Sequence, residues 1–238
     1  MNPCIVTFFM ENVDMKTVGL QRSVIDKFNK SKVPLYCIKV DVPHAVAIDY
    51  FWTLNGCKMD LFKDHDIQKQ VDHDIVLFLD IDCIPLSEES IDLYIEKASQ
   101  GIIAGNAQRT NHLINGQHVF AAPSAVAISK EVFEKIGCPS ACETQRSDVA
   151  EEWTWLAEDK GIKVETYLPI KFDAPPIRYE WEKNQPPYWA LKDGMPNYGI
   201  GTTFGDSNKE LWYHNFQIFH PGQQERFWNK CESILTGV

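Results

Sequence analysis

The stretch Asp74-Ile75-Val76-Leu77-Phe78-Leu79-Asp80-Ile81-Asp82 carries the strongest signal in the chain: five apolar residues run unbroken between two aspartates, and a third aspartate follows two positions on. An apolar run of that length, bounded by charge, is the pattern of a β-strand buried on both faces of a parallel-rich sheet. Asp80 and Asp82 leave this strand at its carboxyl end, and ligands of open parallel sheets bind beyond such ends. Two neighbouring carboxylates in a dry setting stay charged only where a cation or hydrogen-bond donors compensate them. A hard divalent ion that also meets phosphate oxygens supplies that compensation. The apolar strand ahead of it gives weight to an Asp-x-Asp that, alone, is common.

On the amino-terminal side, Ile5 to Met10 reads as a first strand. From Lys16 to Lys30, Val18, Val24, Ile25 and Phe28 recur at helical spacing with Arg22, Asp26 and Lys27 between them, giving a helix with one face for a sheet. Leu35 to Val40 follows as a strand, and Ala45 to Asn55 as a helix stopped at Gly56. On the carboxyl side, Glu88 and Glu89 open a helix that runs to Ser99, where negative charge suits the dipole. Apolar pieces at Ile102 to Ala104 and Val119 to Ile128, helices near Lys130 to Ile136 and Val149 to Lys160, and a strand near Lys163 to Leu168 continue the alternation. Alternating elements of this kind predict an α/β fold with right-handed crossovers and a parallel-rich sheet.

The texture changes after Phe172, where prolines 175, 176, 186, 187 and 196 and glycines 194, 199, 201 and 205 crowd together. That density predicts a long ordered loop region over 172–210. Trp181, Tyr188, Trp189 and Tyr198, interleaved with Arg178, Lys183 and Lys192, suit stacking on a sugar or a base, or ordinary loop packing. Gly199 and Gly201 read as a tight turn. Glu225 to Leu235 predicts a terminal amphipathic helix packing back on the sheet.

With 238 residues, 44% hydrophobic and 24% charged, the chain has the composition of one folded domain rather than of a disordered or membrane protein. A net charge of −10 argues against a broad basic nucleic-acid surface, while leaving a local groove open. No apolar run is long enough to cross a bilayer, and no secretory leader is expected. Seven dispersed cysteines without a CxxC pair fit reduced thiols in a cytoplasmic protein better than a zinc site.

The residues Asp74 to Asp82 resemble the metal-binding strand of GT-A nucleotide-sugar glycosyltransferases, and the order of elements is similar over most of the first 170 residues. The resemblance implies a Rossmann-like GT-A fold: a mixed but mostly parallel sheet flanked by helices. It implies one domain, with 1–105 as the nucleotide-sugar-binding half and 106–238 as the acceptor-binding half. It implies Mn²⁺ or Mg²⁺ held by Asp80 and Asp82, and a nucleotide-sugar donor, foremost a UDP-sugar, against Asp80, Ile81 and Asp82. The loop after Thr7 and Phe8 then cradles base and ribose, unless Phe8 serves only the core.

Ser147-Asp148-Val149-Ala150-Glu151-Glu152-Trp153 is similar to the acidic helix start from which inverting members draw a general base, which makes Asp148, Glu151 and Glu152 candidates. As helix-start carboxylates they equally suit the dipole. Leu211 to Phe216 is similar to the late segment whose histidine completes the cation's coordination, so His214 is the expected third ligand and His220 the reserve. The implied reaction moves a sugar to an acceptor hydroxyl of a saccharide, protein, small molecule or modified DNA base. A sugar-phosphate nucleotidyltransferase and a non-catalytic nucleotide-sugar-binding module are the competing readings.

Overall fold

A computed structural model describes residues 1–57, 72–110, 118–174, 199–206 and 209–237. Among these described residues nine strands form one mixed sheet: β1 (Pro3–Met10), β2 (Leu35–Val40), β3 (Ile75–Leu79), β4 (Cys83–Pro85), β5 (Ile103–Arg109), β6 (Val119–Ser129), β7 (Val164–Lys171), β8 (Thr202–Asp206) and β9 (Lys209–His214). Six helices among the same residues accompany them: α1 (Met15–Phe28), α2 (His44–Leu54), α3 (Glu89–Ser99), α4 (Lys130–Lys135), α5 (Glu151–Asp159) and α6 (Gln223–Thr236).

The strand order is β2-β1-β3-β6-β5-β7-β8-β9-β4. Strands β2, β1, β3, β5, β7 and β9 run one way, and β6, β8 and β4 oppose them. The sheet is therefore mostly parallel by strand direction, although β6, β8 and β4 make antiparallel pairs with their neighbours. β4 begins only four residues after β3 ends, a reach of about 14 Å, yet it lies at the far edge of the order. The sheet must curl for that edge to return beside β3.

β3 is buried along its whole length, and its side chains divide by the period of two. Val76 and Phe78 enter a cluster with Phe51 and Trp52 of α2, Phe133 of α4 and Trp153 of α5. Ile75, Leu77 and Leu79 enter a second cluster with Ile25 of α1, Tyr94 of α3 and Trp212 of β9. Helices thus cover both faces, which is why this strand has no polar alternation. Trp52 stacks on Phe133 at 4.3 Å between ring centroids, and Phe78 packs edge-on against Trp52 and Phe51. α1 starts at Asp14, whose side chain accepts a hydrogen bond from the Lys16 amide. α6 packs through Phe227 and Cys231 on Val24 of α1, Ile84 of β4 and Tyr213 of β9, so the terminal helix covers the edge of the sheet through α1.

One expectation needs correction. The 172–210 region is not all loop: β8 occupies Thr202–Asp206 and pairs with β7 and β9. The aromatic and basic residues Arg178, Trp181, Lys183, Tyr188, Trp189, Lys192 and Tyr198 lie outside the described residues. Gly201 has φ +67°, and the Gly199 amide donates to Thr202 Oγ1 at 2.8 Å, so this pair does form a tight turn.

Candidate active site

The carboxyl ends of β2, β1, β3, β5 and β9 all reach one cavity of about 300 Å³. Val40 closes β2, and Phe8, Phe9 and Met10 close β1. Asp80, Ile81 and Asp82 follow β3, Gln108 lies near the end of β5, and His214 ends β9. The register between β5 and β6 shifts at Gly105 and Asn106, where a bulge carries Pro123 and Ser124 to the cavity wall. A Cβ on Gly105 would stand 2.8 Å from the Ala121 methyl, so glycine permits the close strand approach there.

The turn after β3 is held on several sides. The Cys83 amide donates to the Asp80 carbonyl at 3.0 Å, the Asp80 amide donates to the Ser124 carbonyl at 3.1 Å, and the Asn215 amide donates to the Asp82 carbonyl at 3.0 Å. From α1, the fully buried Gln21 donates through Nε2 to the carbonyls of Asp80 and Cys83, at 2.7 and 3.0 Å. The Cys83↔His214 register between β4 and β9 sets the histidine beside the turn.

His214 Nε2 lies 3.1 Å from Asp82 Oδ1 and 3.4 Å from Asp80 Oδ2. One ligand atom from each of the three residues lies within 4.8 Å of the others. Asp82 and His214 are each 4% exposed, while Asp80 opens toward solvent. Burial opposes the imidazolium of His214, but the Asp82 and Asp80 carboxylates outweigh it and raise the pKa above its ordinary 6.5. His214 Nδ1 is buried without a hydrogen-bond partner among the described residues, and the ring lies 3.8 Å from that of Phe216. Two carboxylate oxygens and one imidazole nitrogen in a small, mostly buried space are a donor set that suits Mn²⁺ or Mg²⁺. The Asp80-x-Asp82 pair fits a DxD motif.

His44, at the first turn of α2, was not anticipated. Its Nδ1 stands 3.3 Å from Asp80 Oδ1, and its ring meets Phe8 edge-on at 5.7 Å. Gln108, Ser124 and the Phe216–Phe219 wall were also missed, since nothing in their local pattern marks them. Phe216 and Gln217 both have φ 52°, the left-handed region that non-glycine residues rarely occupy.

Of the anticipated residues, Asp80, Ile81, Asp82, His214 and Phe8 meet at the cavity, and His214 rather than His220 joins the aspartates. Thr7 is fully buried in β1 and does not line the cavity. Asp148, Glu151 and Glu152 gather at the start of α5, away from the lining. Glu151 is fully buried: Oε1 meets His118 Nδ1 at 2.6 Å and accepts from Trp155 Nε1 at 3.1 Å, and Oε2 accepts from the Asp148 amide at 2.7 Å. Burial works against its charge, but the bonds from His118, the Asp148 amide and Thr110 prevail and lower its pKa. Glu152 forms a two-point pair with Arg146. The Asp148 carboxylate accepts from the Val149 amide at 2.8 Å.

No family model matches the chain, and no curated protein matches it. Solved structures similar to it include a glycosyltransferase involved in the glycosylation of the major capsid of PBCV-1, at 11% identity and TM-score 0.44 over 97% of this chain and 99% of that one. A mannosyltransferase from Pyrobaculum calidifontis in complex with GDP-Man and Mn²⁺ is similar at 10% identity and TM-score 0.43, over 69% of this chain and 54% of that one. A 4-diphosphocytidyl-2C-methyl-D-erythritol synthase from Anaerococcus prevotii is similar at 13% identity and TM-score 0.38, over 71% and 90%. Likeness at these levels carries no functional weight of its own. Among the described residues no helix is long and apolar enough to cross a membrane.

Proposed function

We propose that this chain is a metal-dependent glycosyltransferase that moves a sugar from a nucleotide-sugar to an acceptor hydroxyl. The observation that carries this reading is the convergence of Asp80, Asp82 and His214 at the carboxyl end of β3, on the wall of a ligand-sized cavity. Asp80, Asp82 and His214 hold the divalent cation, which when bound neutralises charge on the departing nucleoside diphosphate. Phe8, Phe9, Val13 and Val40 offer an apolar wall to base and ribose, with Thr7 buried behind it. Gln108 and Ser124 give polar groups on the same cavity for the sugar. A UDP-sugar is the leading donor.

Of the three acids gathered at the start of α5, Asp148, just ahead of the helix, is the proposed base. Residues 1–105 form the donor-binding half and 106–238 the acceptor-binding half of one domain. Seven dispersed cysteines without a CxxC pair support a cytoplasmic setting.

The test is a thermal-shift screen of nucleotide-sugars with and without Mn²⁺, in wild type and Asp80→Asn. A binder raises the melting temperature by mass action, and the expected result is a Mn²⁺-dependent shift lost in the variant. Turnover surviving in Asp80→Asn, or after exhaustive chelation, removes the cation mechanism. Pyrophosphate release from a nucleoside triphosphate favours nucleotidyl transfer, and nucleotide-sugar binding without turnover across an acceptor panel favours a binding module.

A further inference from the structure

We infer that Gln21 is a positioning residue for the cation site, acting through the backbone of the Asp80–Cys83 turn; this rests on the reading of Asp80, Asp82 and His214 as cation ligands. Gln21 projects from the middle of α1 and is fully buried. Its single amide nitrogen donates to the Asp80 carbonyl at 2.7 Å and to the Cys83 carbonyl at 3.0 Å, so one side chain grips the turn at both ends. The turn's own closure is the one bond from the Cys83 amide to the Asp80 carbonyl, and beside the single backbone bonds to Ser124 and from Asn215, Gln21 is the side chain that binds both of its ends.

The choice of glutamine is not explained by packing. Val24 and Ile25, a turn further along α1, bury apolar side chains in the hydrophobic clusters, as the helix face requires. Gln21 instead leaves its own Oε1 buried without a partner among the described residues while spending both N–H groups on the turn. A buried acceptor left unpaired is unfavourable. The arrangement makes sense where the spacing of the two aspartate side chains matters more than the local stability of α1. Groups outside the coordination sphere orient ligands in this way, and losing one typically weakens metal affinity about 10–100-fold.

The experiment is titration of the purified full chain with Mn²⁺, following free Mn²⁺ by electron paramagnetic resonance, alongside circular dichroism and metal-free melting. Gln21→Met keeps length and removes both donors. Thr17→Val, one turn earlier on α1, removes the hydrogen bond from Trp228 Nε1 to Thr17 Oγ1 without touching the turn. Expected is a Mn²⁺ affinity at least tenfold weaker for folded Gln21→Met and within twofold of wild type for Thr17→Val. Wild-type affinity in folded Gln21→Met, or equal losses in the two variants, overturns the inference. If Gln21→Met does not fold, Gln21→Asn, which draws the amide back by one methylene, is read by the same criteria. Wild type that binds no Mn²⁺ overturns the underlying cation reading as well, and that outcome is distinct because it needs no variant.

Discussion

His44 Nδ1 stands 3.3 Å from Asp80 Oδ1, leaving the other oxygen of that carboxylate to face His214 Nε2 at 3.4 Å. Asp80 is thereby oriented from two sides, by the first turn of α2 and by the end of β9. Truncation to His44→Ala frees one side. The expected result is Mn²⁺ binding weaker by about tenfold with an unchanged circular dichroism spectrum. An unaltered Mn²⁺ titration would show that His44 only lines the cavity.

Asp148 and Glu151 sit three residues apart and should fail differently. Asp148→Asn is expected to lower kcat by about 10²–10⁴ if it serves as the base, with little change in melting. Glu151→Gln disturbs the bonds to His118, Trp155 and the Asp148 amide, and is expected to cost about 2 kcal/mol of stability. Full turnover in Asp148→Asn places the base elsewhere, or points to a retaining reaction that needs none.

Acid sensitivity should trace to β7. Burial raises the Glu165 pKa, but hydrogen bonds from Lys163, Lys97 and Tyr167 overcome this and hold it at about 2, against an ordinary 4.5. A depressed carboxyl pKa stabilises the fold above the unfolded value and loses that contribution as pH falls through the folded one. Stability should therefore drop between about pH 4.5 and 2, and Glu165→Gln should flatten that limb while lowering stability at pH 7. Parallel pH curves for the two proteins would refute the assignment.

Phe78 is fully buried and touches Phe8, Phe51, Trp52 and Trp153. Phe78→Ala should cost about 3–5 kcal/mol in urea unfolding. A loss below about 1 kcal/mol would mean that the cluster collapses onto the space left behind.

β3 was legible because burial on both faces erases polar alternation, leaving Ile75 to Leu79 as an unbroken run. The helices were legible for the opposite reason: one-sided burial imposes a 3.6-residue rhythm on α1 and α6. β4 was not legible. It has three residues and includes a proline, and it exists as a strand through its pairing with β9, a partner more than a hundred residues away. β8 was hidden by glycine: Gly205 reads as a loop residue, yet a Cβ there would lie 1.9 Å from the Lys209 carbonyl oxygen, so the β8–β9 approach demands it.

The site divides in the same way. Asp80 and Asp82 were visible because strand and motif are contiguous, and His214 through resemblance. His44, Gln108 and Gln21 reach the cavity or its turn only through the tertiary fold, which leaves no trace in neighbouring sequence.

The return of β4 to the neighbourhood of β3 has a consequence for how the protein answers its ligand. The two aspartates belong to one lip of a seam and His214 to the other, so a cation held by all three, as proposed, would fasten the seam like a clasp. Docking of the β8–β9 hairpin and α6 would then be coupled to occupancy, and protection of the carboxyl-terminal elements against opening would grow with the ratio of free ligand to its dissociation constant.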